Sequence, residues 1–173
     1  MAFSLSHCIE ILERTPDTLN HMLTGLSQEW THQNEGENTW NVFEVIGHLI
    51  HGEHTDWITR ATLILSDAQD KTFAPFDRFA QLHLHQGKTL EMLLQEFREA
   101  RMENLQTLKG WNLSESDLSK TGTHPVLGIV TLQQLMATWA VHDLNHLSQI
   151  SRIMSKQYEQ EVGPFHTFLG IYR

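Results

Sequence analysis

The run Trp139-Ala-Val-His142-Asp143-Leu-Asn145-His146-Leu-Ser-Gln149 sets two histidines four residues apart inside a long helical pattern. At about 100° per residue, such a pair shares one helix face, one turn above the other. Two imidazoles in that arrangement can grip one metal ion. Trp139, His142, His146 and Gln149 follow at spacings of three, four and three, so all lie on one stripe. Far upstream, Glu44, His48 and Gly52 form a second stripe. If the two stripes face each other, three imidazoles meet in the interior, as helix bundles build metal sites from side chains on facing helices. Three protein ligands leave a coordination position for water or substrate, which is the catalytic rather than the structural pattern. The donor set suits zinc, nickel, copper or iron, with zinc or nickel the expected divalent ion.

The helices needed to carry these stripes are readable on either side. Leu5, Cys8, Ile9, Leu12, Leu19, Met22, Leu23 and Leu26 predict a first helix over about Ser4–Gly25, with Pro16 kinking it or restarting it behind a Thr15 cap. Residues 27–39 are polar and read as a loop flanked by Trp30 and Trp40. Asn41 and Glu44 resemble a capping box opening a helix that runs to about Leu65. Residues 66–79 read as a connection pinned by Phe73, Phe76 and Phe79, with a short helical turn around Asp77–His85. Thr89 caps a third helix to about Lys109, with Leu90, Leu93, Leu94, Phe97, Met102, Leu105 and Leu108 at core spacing. A capped turn at Ser114–Asp117 and a hairpin over Thr121–Val130 precede the last helix, Thr131 to about Tyr158. The tail, with Phe165, Phe168, Leu169, Ile171 and Tyr172, is expected to pack as an irregular cap. The predicted architecture is all-α: a four-helix bundle with long connections, antiparallel or crossover, in a single domain spanning residues 1–173.

Composition narrows the function. Lys and Arg number 12 against 21 Asp and Glu, for a formal charge of −9, and they form no run. Neutralising phosphates needs the opposite balance, so nucleic acid is not an expected partner. No stretch approaches the ~18 apolar residues of a membrane span, and no signal-peptide pattern opens the chain. The lone Cys8 permits no internal disulfide, so a cytoplasmic location is expected. Cys8 lies on a core face and reads as buried rather than nucleophilic.

Competing readings surround the histidines. His51 and His54 rival His48, yet they are rotated from its direction by roughly 60° and 120°. Glu44 reads as a cap before a ligand. Asp143 and Asn145 read as solvated, capping or ligand-orienting groups. Asp56 and Arg60 form an i,i+4 pair that reads as an ordinary surface bridge, and Glu53 could line the same mouth. The aromatics read as core, with Trp139 closest to the ligand stripe. Chance alone supplies such spacings in a chain with 12 histidines, and a plain bundle with satisfied core histidines is the simplest alternative.

The runs Trp40-Asn-Val-Phe-Glu44-Val-Ile-Gly-His48-Leu49 and Trp139-Ala-Val-His142-Asp-Leu-Asn-His146, with the lead-in Gly128-Ile-Val-Thr-Leu, resemble the DinB-like family of small bacterial metal-binding bundles. The resemblance implies a four-helix bundle, frequently a homodimer, holding a divalent metal through His48, His142 and His146. Relatives with known chemistry include thiol-dependent isomerases and S-transferases that use low-molecular-weight thiols. The expectation is a metal-dependent enzyme acting on a small molecule by hydrolysis or thiol S-transfer. The rival is a non-catalytic metal-binding or stress-related interaction protein.

Overall fold

The computed structural model describes residues 2–173. Four long helical segments build the bundle: α1 (Leu5–Leu23), the pair α3 (Val42–Thr55) and α4 (Trp57–Leu65), α6 (Leu90–Gly110) and α8 (Leu132–Lys156). Short helices α2 (Gln28–Thr31), α5 (Gln81–Leu84) and α7 (Glu115–Leu118) lie in the connections. A hairpin of β1 (Thr121–His124) and β2 (Gly128–Thr131) leads into α8. Two 3₁₀ turns, Gly163–Phe168 and Gly170–Tyr172, end the chain.

Local chemistry explains most of the boundaries. Asn41 Oδ1 accepts from the Glu44 amide at 2.9 Å, and Glu44 Oε2 accepts from the Asn41 amide at 2.9 Å. Glu44 is therefore spent on the cap, a motif contributing about 1 kcal/mol. Thr131 and Gln134 repeat the arrangement at the start of α8. The hairpin closes through a three-residue loop, with Gly128 at φ +78° supplying the left-handed position.

α1 packs against α6 and α8, and α3 with α4 packs against the same two helices from the other side. Successive long helices α1 and α3 thus occupy opposite corners, as do α6 and α8. The crossover form, left open by the sequence, is the one adopted. Two apolar clusters fill the bundle. One gathers Leu12, Trp57, Ile64, Leu108, Met136 and Trp139. The other gathers Leu19, Ile46, Leu49, Phe97, Ile150 and Ile153. Each fully buried aliphatic or aromatic side chain contributes roughly 1.5–3 kcal/mol. His48 and Glu53 on α3, Arg101 on α6, and Asp143 and His146 on α8 are all buried; Glu53, Arg101, Asp143 and His146 fall between the residues of the two clusters along their helices, and His48 lies among those of the second.

Several expectations are corrected. α1 runs unbroken through Pro16, which is buried, so the chain does not restart behind a Thr15 cap. Proline cannot donate to the carbonyl four residues back, and that carbonyl, Leu12 O, instead accepts from Arg101 Nη1 at 2.9 Å. The helix expected from Asn41 to Leu65 divides at Asp56, where φ and ψ are −112° and −74°. Residues 27–39 include the helical turn α2. Met102 is 63% exposed rather than core. In the tail, Phe165 and Phe168 are exposed, and Tyr172 anchors it by donating to Ser155 O at 2.8 Å.

Candidate metal centre

Three rings meet where α3 faces α8. His48 Nε2 lies 3.2 Å from His142 Nε2, which lies 3.1 Å from His146 Nε2. Among the described residues these three form one cluster whose ligand atoms all fall within 4.8 Å of one another. The competitors fall outside it. His51 lies tilted against Phe76, and His54 is exposed beside Glu96. Trp139 is fully buried, stacked on Trp57, with Nε1 donating to Glu53 at 3.0 Å.

Burial holds the His48 imidazole down to about 3, reinforced by the neighbouring imidazoles His146 and His51 and by Arg78. Burial likewise pushes His142 down to about 2, aided by His146, His48 and Arg101. His146 is lowered by burial against the opposing pull of Gln149 and Asp143. All three rings are therefore neutral near pH 7, the form that ligates metals. The Gln149 carbonyl oxygen lies 2.7 Å from His146 Nδ1, so Nδ1 donates and Nε2 keeps its lone pair. Nδ1 of His48 and of His142 has no protein partner.

Neutral rings in this packing cannot satisfy one another. A hydrogen on His142 Nε2 points at one neighbour only, and the other Nε2–Nε2 contact is left without a hydrogen bond. A cation resolves that conflict. Two nitrogens on a tetrahedral zinc lie about 3.3–3.4 Å apart, at bond lengths of about 2.0–2.1 Å, close to the separations found here. The donor set fits a divalent ion.

What brings the rings together is a buried polar cluster that the sequence did not disclose. Arg101 Nη1 donates to Asp143 Oδ2 at 2.6 Å, and its Nη2 donates to Asp143 Oδ1 at 2.9 Å and Glu53 Oε1 at 2.8 Å. Asn104 Nδ2 donates to Glu53 Oε2 at 2.9 Å. Burial lowers the Arg101 pKa, but Glu53 and Asp143 more than reverse this and leave it raised. The guanidinium ties α3, α6 and α8 together one turn from the histidines. Asp143 is thus neither a solvated nor a capping group, and Glu53 faces Arg101 rather than a mouth shared with Arg60. Asn145 is exposed, the solvated one of its alternatives.

A cavity of about 320 Å³ opens over the rings. Trp40, whose ring lies 4.8 Å from His48, lines it with Trp57 and Phe76. Asp56, Arg60, Arg78 and His124 also line it. Asp56 and Arg60 are paired, with side chains only 12% and 11% exposed, so this is a cavity-wall pair and not the ordinary surface bridge expected. Burial raises the Asp56 carboxyl to about 6 against the pull of Arg60. The hairpin delivers His124: the Phe73 amide donates to Thr123 O and the Thr123 amide donates to Lys71 O, each at 2.9 Å, tying β1 to the 71–73 segment. Gly122 lets Phe73 sit close, since a Cβ there would meet its ring at 2.6 Å. Neither Arg78 nor His124 carries a spacing signal that would have marked it.

Fold and centre together define a helical bundle with an inward-facing three-histidine donor set beneath a cavity. The chain belongs to the DinB superfamily, which it matches over residues 11–150. Among solved structures it is similar to YfiT from Bacillus subtilis, described as a probable metal-dependent hydrolase with an unusual four-helix bundle topology. That likeness has a TM-score of 0.75 and 19% sequence identity, covering 92% of this chain and 90% of YfiT. No curated protein matches the chain.

Proposed function

We propose that this protein is a metal-dependent enzyme acting on a small molecule, with zinc or nickel held by His48, His142 and His146. One observation carries the reading: three neutral imidazole nitrogens converge at the floor of a cavity large enough for a small ligand. The description of YfiT as a probable metal-dependent hydrolase supports it. When bound, the ion would supply a Lewis acid that lowers the pKa of water or of a thiol, suiting hydrolysis or S-transfer with a low-molecular-weight thiol. The chain's own contribution is positional. Gln149 fixes the His146 tautomer, Trp40 and Trp57 pack the rings, and Arg101 holds the ligand-bearing helices in register. A non-catalytic metal-binding role is the second reading, and the opening of the cavity onto the rings favours the enzyme.

His142→Ala should abolish stoichiometric zinc or nickel uptake while leaving the helical circular dichroism unchanged. Elemental analysis of the untagged protein reads the first and far-ultraviolet spectra the second. Full metal retention by the variant rejects the assignment.

A further inference from the structure

The wall above the histidines is charged against the grain of the molecule. The chain carries −9 overall, yet the cavity presents two guanidinium groups, Arg60 and Arg78, and a single carboxylate, Asp56. Asp56 binds Arg60 through Nε, which leaves the terminal nitrogens of that guanidinium free of the pair. Among the described residues no carboxylate pairs with Arg78. Its guanidinium rests instead over the Trp40 and Phe79 rings at 5.7 and 5.3 Å. Stacking of this kind orients the planar fork while leaving its N–H groups available.

His124 adds a neutral donor. Its Nδ1 accepts from the Val126 and Leu127 amides at 3.1 and 3.2 Å. Nδ1 is therefore unprotonated, and the hydrogen of the neutral ring sits on Nε2. The wall then offers two guanidinium forks and an imidazole N–H, with one positive charge uncompensated. The volume is at the small end of ligand cavities.

We propose that the cavity selects small molecules bearing a carboxylate, recognised by Arg78 and Arg60 with His124 as a further donor, while the reacting group is directed at the histidine floor. The second half of this statement rests on the metal-centre reading above; the first half rests on the wall alone. Guanidinium groups bind carboxylates through paired, charge-assisted bonds. A neutral amide of the same shape forfeits them. Arg60 and Arg78 are thus specificity-determining residues, and Asp56 is a positioning residue acting through Arg60.

The test is calorimetric titration of cobalt(II)-loaded protein with 3-mercaptopropionate and with its isosteric amide, 3-mercaptopropionamide. The acid should bind at least about tenfold more tightly than the amide, and Arg78→Gln should shrink that ratio to within about twofold. Cobalt content and the thiolate-to-cobalt absorption formed with the amide should be unchanged in the variant, because Arg78 is exposed and supplies none of the three ligand nitrogens. Arg60→Lys, which retains a charge opposite Asp56 but loses the fork, should reduce the ratio less. Equal affinities for acid and amide in the unsubstituted protein overturn the carboxylate site, whatever the cobalt content. Failure to take up cobalt, with an Arg78-dependent preference for the acid intact, supports the carboxylate site and sinks the metal reading.

Discussion

Asp56 illustrates how one residue's surroundings set its chemistry. Withdrawn from water and only partly compensated by Arg60, its carboxyl is raised from 3.8 to about 6. The folded protein holds this proton more tightly than the unfolded chain does. Unfolding between about pH 4 and pH 6 therefore releases it, and the stability this group contributes declines as pH rises through that window. Asp56→Asn should remove that dependence. Urea midpoints of protein and variant should converge or cross steadily from pH 4 to 6 and run parallel above neutrality; parallel curves throughout refute the shift. The pair itself was legible in the sequence as an i,i+4 spacing. Its burial was not, because the residues that cover it come from the hairpin and from the 71–79 connection, many positions downstream.

At the level of helices, the parts that could be read were those written locally. Asn41 with Glu44, Thr89, Ser114 with Asp117, and Thr131 with Gln134 announce their helix starts within four residues, and each cap forms. The spacing of His142 and His146, and the phase of His48 against His51 and His54, likewise follow from helical geometry alone. Arg101 could not be found this way. It is one basic residue on a mixed helix, its partners Glu53 and Asp143 lie 48 and 42 residues away, and its bond to Leu12 O goes to the carbonyl that Pro16 leaves without a helical donor. Replacing it by Met would leave two carboxylates buried without their cation. A loss of about 3–5 kcal/mol is expected for breaking such a pair from one side. Chemical denaturation measures it, and a loss below about 1 kcal/mol, typical of exposed bridges, refutes the cluster's structural role.

Across the whole molecule, the polar belt divides the core into two apolar halves, so the centre of the bundle is held by directional contacts rather than by oil-like packing. A ligand bridging α3 and α8 at that belt should stabilise the entire fold. Zinc at a hundredfold excess over its dissociation constant should add about 2.7 kcal/mol, with the melting temperature climbing as the logarithm of free zinc. Differential scanning calorimetry across a zinc series reads this, and His142→Ala should flatten the response. A melting temperature of the intact protein indifferent to zinc and nickel denies the belt its ion.

The two faces of the histidine trio are written far apart, with His48 and His142 separated by 94 positions in the chain. Synthesis at about 5–20 residues per second delivers the second face roughly 5–20 s after the first. Throughout that interval a growing polypeptide offers one imidazole from this trio, too little to detain an ion against the competing ligands of the cell. Loading thus awaits synthesis of α8, and a copy abandoned on the ribosome before His142 draws nothing from the metal pool through this centre.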